Sequence, residues 1–151
     1  MSGVSVVKVE PRLIAAVRRK VRIGEVGAAW KPALDLVWAF LRKHPELKPG
    51  HNLFLYRHPA TRSDPMEVDF GVEVPADFAP EGEVRPVMTP GGEAALAVHR
   101  GPYDGMKATH EAIHAWAPKN GREIGGASWE RYGDWVQDAS KLETEIFYLL
   151  R

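Results

Sequence analysis

The chain of 151 residues contains no cysteine. Disulfides and thiolate metal sites are therefore excluded. It has no net charge, with 20 Lys and Arg against 20 Asp and Glu. No overall field draws it to nucleic acid or to an anionic membrane. No stretch approaches the roughly 20 apolar residues of a membrane span. The N-terminal MSGVSVVKVEPRL lacks the basic start and long apolar run of a signal peptide. A cytoplasmic location is expected. What is present is the profile of a soluble globular protein, 44% apolar and 26% charged. That length suits one domain, 1–151, with a real core.

The patterning changes along the chain. Val4–Val9 reads as a strand broken at Pro11, and LIAAVRRKV (13–21) as a second. From Val26 the apolar residues Trp30, Ala33, Leu34, Val37, Phe40 and Leu41 recur at helical spacing. Pro32 is tolerated in a first turn, so the regular helix is expected from about Trp30 to His44. NLFLYRH (52–58) reads as a strand, and MEVDFGVEV (66–74) alternates as a half-buried antiparallel one. The Pro- and Gly-rich stretch 75–93 reads as a linker with a short extended piece at 83–88. ALAVHR (95–100) is a strand, and a helix is expected from Gly105 to Ala117, stopped by Pro118. GASWERY and TEIFYLL (144–150) predict a closing hairpin around the polar loop GDWVQDASKLE.

A strand–helix–strand–strand order thus occurs twice, over about 4–75 and 83–150. The repeated order suggests a duplicated module. Many strands with two helices predict an α+β fold, both helices covering one face of an antiparallel sheet.

HEAIH (110–114) matches the His-Glu-x-x-His signature of zinc peptidases on a predicted helix. The chemistry needs a third ligand and an open position. The extended motif would require Gly at 117 and His at 120, where this chain has Ala117 and Asn120. No further helix downstream presents a Glu. His110 and His114 therefore read as flanking the apolar stripe, with Glu111 in water. No metal and no cofactor are expected, and a zinc hydrolase is a remote alternative.

Four landmarks stand in order in the second half: Gly101-Pro102-Tyr103, Trp116, Glu130-x-Tyr132 and Glu145-Ile146. Together, over 83–150, they resemble the GyrI-like, or AraC-type effector-binding, small-molecule-binding family. Two features depart from that pattern. The last strand ends Phe147-Tyr148-Leu149-Leu150 rather than with a Pro-containing tail, and Gly133-Asp134-Trp135 replaces the usual Asp-Pro. The resemblance implies a concave sheet of two pseudo-symmetric halves, with a groove between the helices lined by aromatics and one or two acids. It implies a hydrophobic, often cationic, ligand, in sensing or sequestration. Some stand-alone members hydrolyse strained cyclopropane-containing compounds.

The residues themselves point the same way. In ASWERY, Glu130 shares a face with Ser128 and Tyr132. In TEIFYLL, Glu145 lies with Phe147 and Leu149. A carboxylate amid apolar strands is costly unless it is paired. It either forms a salt bridge, for example with Arg100, Arg131 or Lys141, or it serves a cation held by aromatic faces. Tyr103 would wall the groove or cap the core. Tyr56, Trp30, Trp38 and Trp116 lie on or beside apolar stripes, the usual place of core aromatics. Trp135 in a polar loop suits a lid or a dimer contact. The candidate ligand-binding set is thus Glu130, Glu145, Tyr103, Tyr132, Phe147, Tyr56, Trp30, Trp116 and Trp135. If the protein is an enzyme, Glu130 is the general base and Tyr132 or Tyr103 a proton donor. The expected partner is a hydrophobic or cationic small molecule. A partner protein or a homodimer would fit. With no helix-turn-helix pattern before the first strand, direct DNA binding is not expected.

Overall fold

The computed structural model describes residues 3–22, 24–61 and 63–151. The fold is α+β. Among the described residues, eight strands form one antiparallel sheet: β1 (Ser5–Val9), β2 (Leu13–Val21), β3 (Asn52–Arg57), β4 (Met66–Glu73), β5 (Arg85–Met88), β6 (Gly92–Arg100), β7 (Ile124–Tyr132) and β8 (Glu143–Leu150). Helix α1 (Val26–Lys43) follows β2, and α2 (Met106–Lys119) follows β6.

The order across the sheet is β1-β6-β8-β7-β3-β4-β2-β5. Each strand–helix–strand–strand unit fills one half, and the halves meet where β3 pairs β7. The strand before each unit pairs with the other unit: β1 with β6, and β5 with β2. The two units are thereby tied together at both edges as well as in the middle.

Side chains alternate between two buried faces. One face carries Val17, Phe54, Val68, Phe70 and Val72 under α1, and Ala95, Ala97 and Ile146 under α2. The other carries Ile14, Leu53, Leu55, Trp129 and Phe147, together with Val7, Val9 and Val87. Strands β1 and β5 stand at opposite ends of the strand order, yet both contribute to this second cluster. The sheet therefore curls over that face. The Thr89 amide donates to the Arg12 carbonyl at 2.8 Å, and the Arg12 amide to the Thr89 hydroxyl at 2.8 Å, fastening the curl. At Gly71 a Cβ would lie 2.9 Å from the Ala15 carbonyl oxygen, so glycine lets β4 and β2 close together here.

Both helices run past the prolines expected to bound them. Helix α1 begins at Val26, with Pro32 inside it, and α2 continues through Pro118 to Lys119. Each proline removes the donor that would bond the carbonyl four residues earlier. Those carbonyls belong to Ala28 and His114, both exposed residues. Among the described residues, no helix is long and apolar enough to cross a membrane.

Candidate ligand-binding site

The two helices do not meet over the middle of the sheet. Between them lies a cavity of about 1020 Å³, floored by β3, β7 and β8. This is the upper end of the size range of small-molecule pockets. Its aromatic wall is continuous. Trp30 lies 6.3 Å from Phe54, Phe54 packs edge-on to Tyr132 at 5.0 Å, and Tyr132 meets Tyr103 edge-on at 5.5 Å. Trp38 also lines it, its indole N–H donating to Asn52 at 3.0 Å. Trp135 stands at the mouth, 74% exposed.

At the bottom sits Glu130, 7% exposed. Antiparallel pairing sets Glu130 opposite Phe54 on β3 and Ile146 on β8, so all three share the helix-side face. The Tyr56 hydroxyl donates to Glu130 Oε1 at 2.6 Å and the Tyr132 hydroxyl to the same oxygen at 2.7 Å. His110 Nε2 lies 2.7 Å from Oε2. The buried carboxylate is thus fully hydrogen-bonded, the condition for keeping such a group inside. Burial and the Glu130 charge push the Tyr56 and Tyr132 phenols well above their ordinary pKa. They remain O–H donors at any ordinary pH.

A second set of polar groups extends from His110. Its Nδ1 lies 2.7 Å from the Tyr148 hydroxyl. Burial, then the nearby Glu130 charge, pushes the Tyr148 phenol up to about 12. His58 Nε2 lies 2.8 Å from the Ser128 hydroxyl, and burial lowers the pKa of the His58 ring. His114 packs edge-on to Tyr148 at 4.9 Å.

Residues 3–151 match the sequence profile of the GyrI-like small molecule binding domain. The chain belongs to this family. No curated protein matches it. Solved structures share the fold of this GyrI-like domain. It superposes on the EcmrR C-terminal domain with a TM-score of 0.78 at 20% identity, covering 98% of this chain and 96% of that one. It spans only 57% of the EcmrR chain in its DNA complex. SAV2435 bound to tetraphenylphosphonium gives 0.73 at 10% identity over 98% of this chain and 93% of that one. A hydrolase from Listeria innocua encoded by lin2189 gives 0.68 at 13% identity, covering 99% and 92%.

Of the residues singled out in the sequence, Glu130, Tyr132, Tyr103, Tyr56, Trp30 and Trp135 line the cavity of this GyrI-like domain. Three others lie elsewhere. Glu145 and Phe147 share a face, as expected, but it is the one turned away from the helices. There Glu145 accepts from Arg131 at 3.1 Å, and Phe147 stacks on Trp129 at 5.2 Å. Arg131 also donates to Glu73 at 2.9 Å. Burial alone would push Glu73 up, but the bond from Arg131 and its charge hold the carboxyl low. Trp116 packs with the core beneath α2 rather than on the cavity wall.

His110, Tyr148, Ser128 and His58 also line the cavity but lie outside the candidate ligand-binding set. His110 was visible within HEAIH, where it read as a flank of the stripe. Both of its ring nitrogens are engaged, while Glu111 is exposed, its oxygen 3.9 Å from the Lys107 ammonium. Among the described residues no group of three or more His, Asp or Glu is placed to hold a metal. Tyr148 could have been found from hairpin register. If Tyr132 pairs with Thr144, then Ile146 and Tyr148, not Glu145 and Phe147, share the face of Glu130. Gly133 is needed where the chain turns. A Cβ there would lie 2.9 Å from the Glu143 carbonyl oxygen.

Proposed function

We propose that this domain binds a hydrophobic organic cation between its two helices, in sensing or sequestration. The observation that carries the reading is Glu130, a carboxylate buried at the floor of an aromatic-walled cavity. Aromatic faces attract a cation, more strongly when it is desolvated, and a carboxylate supplies the opposite charge. The size of the cavity suits a drug-sized molecule. The fold is shared with SAV2435, which was captured with tetraphenylphosphonium, an aromatic cation of this type. Tyr103, Trp30 and Trp135 would hold the ligand's apolar surface while Glu130, with Tyr56 and Tyr132, meets its charge. A cytoplasmic location, no direct DNA contact and a partner protein or second copy of the chain remain part of this proposal.

The test compares tetraphenylphosphonium with tetraphenylborate, two ions of the same shape and opposite charge. Saturable binding of the cation and none of the anion is expected. Equal binding of both would reduce the site to an apolar pocket that does not read charge.

A second reading is hydrolysis of a strained electrophile such as a cyclopropane. It is favoured by the placement of a carboxylate, two phenols and an imidazole around one point in a shielded cavity. Glu130 would act as general base on water and Tyr132 would donate a proton. A fold neighbour is described as a hydrolase. Consumption of such a compound in excess over protein, abolished by Glu130→Gln, would decide for it. Binding without consumption leaves the module.

A further inference from the structure

Cation binding at Glu130 leaves one polar pair of the cavity without a task. Ser128 Oγ lies 2.8 Å from His58 Nε2, within reach for an imidazole to take a proton from a hydroxyl. Ser128 is 3% exposed, yet both residues line the cavity. The pair thus faces a shielded space rather than bulk solvent.

The backbone sets this pair. His58 follows β3 directly, and its amide donates to the Gly126 carbonyl at 2.8 Å, continuing the pairing of β3 with β7. Gly126 puts no side chain beside the His58 ring, which reaches along β7 to Ser128. On the other side of Ser128, its direct partner across β8 is Tyr148. The Tyr148 ring stands among three imidazoles, with centroids 5.7 Å from His58, 5.6 Å from His110 and 4.9 Å from His114. Its phenol, pushed up to about 12, keeps its proton at ordinary pH. Burial, and then the neighbouring His114 ring, lower the His58 pKa. The His58 ring is therefore neutral near pH 7 and free to act as a base.

We propose that Ser128 and His58 are a nucleophile and its general base, and that the cavity cleaves carboxylic esters by acyl transfer to Ser128. This activity goes beyond cation binding and does not depend on it. In the reactive tautomer the ring hydrogen is on Nδ1, and the hydroxyl donates to Nε2. Ser128 Oγ bonds to the ester carbonyl carbon as Nε2 takes the hydroxyl proton. An electron pair moves onto the carbonyl oxygen, where Tyr148 is placed to donate. That pair returns as the bond to the alcohol oxygen breaks, and His58 hands its proton to the leaving oxygen. Water then attacks the acyl-serine with His58 again as base. The acid departs, and Ser128 recovers its hydrogen from His58. The sum is ester and water giving acid and alcohol, with no other reactant.

Among the described residues, no carboxylate is hydrogen-bonded to the His58 ring. The imidazolium formed in the reaction lacks the support that a buried acid gives a full triad. The substrates are accordingly activated esters, such as those of phenols, whose alcohol leaves readily.

Two uncharged probes test the proposal apart from the cation reading. The first is 4-nitrophenyl acetate, followed by release of the nitrophenol. Hydrolysis should fall to background in Ser128→Ala and about a hundredfold in His58→Gln, the worth of a general base. Its rate should rise with pH and level off, through a pKa below the ordinary histidine value of about 6.5. The second probe is an alkyl fluorophosphonate, whose serine adduct does not turn over. Peptide mass spectrometry of the wild type should place the label on Ser128, a result that does not require any variant to fold. Circular dichroism checks the fold of each variant. Absence of label on Ser128, or equal hydrolysis by the wild type and folded Ser128→Ala, would overturn the proposal. So would a rate that follows hydroxide throughout without levelling.

Discussion

Tyr56 on β3 and Glu130 on β7 stand one diagonal step apart in the antiparallel pairing, and the phenol donates to the carboxylate at 2.6 Å. The bond crosses the seam between the two halves of the sheet. It therefore ties the floor of the cavity to the joint on which the architecture depends.

Tyr56→Phe removes this donor and leaves the buried carboxylate with Tyr132 and His110. The expected cost is about 1–3 kcal/mol of folding stability, the range for a buried group that loses a partner. Urea unfolding measures it. A variant as stable as the wild type would mean that Glu130 does not depend on this bond.

Three of the four tyrosines should resist ionisation. Burial and the Glu130 charge hold Tyr148 at about 12 and Tyr56 and Tyr132 well above the ordinary phenol value. Folded-state values above unfolded ones favour the fold below the unfolded pKa, near 10, and that contribution is lost as pH rises toward the folded values. Ultraviolet titration should show these phenols ionising only with unfolding, above about pH 10. Smooth ionisation of all four in the folded protein would contradict the buried network.

Glu145→Gln separates the two faces of the sheet. Glu145 accepts from Arg131 on the face away from the cavity, at a half-exposed position. Such a pair contributes about 0–1 kcal/mol. Cation affinity should be unchanged, as calorimetry would show. A large loss of affinity would mean that the ligand lies on the other face.

Trp135→Ala probes the mouth. An indole 74% exposed adds little to folding but presents a face to a ligand. Stability should stay within about 0.5 kcal/mol of wild type. Affinity for an aromatic cation should fall about two- to fivefold, the worth of an exposed cation–π contact. Unaltered affinity would leave Trp135 without a role as a lid.

Much of this fold was legible because its periodicities are clean. The alternation of Met66 to Val74 and the helical stripe from Val26 to Leu41 identify β4 and α1 directly. Helix ends were less so, since Pro32 and Pro118 lie inside the helices rather than at their bounds. In the site, the partition of β7 was readable from ASWERY, where Ser128, Glu130 and Tyr132 share a face. β8 was not. Both of its faces are buried, Ile146 and Tyr148 on one side and Phe147 on the other, so polarity does not say which faces the helices. Only its register with β7 decides that. The contacts of His110 were hidden for a related reason: its partners Tyr148 and Glu130 lie 38 and 20 residues away along the chain.

The central claim is that Glu130 makes this cavity a cation site. Calorimetric titration of tetraphenylphosphonium into the wild type and Glu130→Gln tests it most directly. The account predicts saturable binding to the wild type, weakened in the variant by about tenfold or more, equivalent to about 1.4 kcal/mol. Equal affinity in the two proteins, both folded, would contradict it.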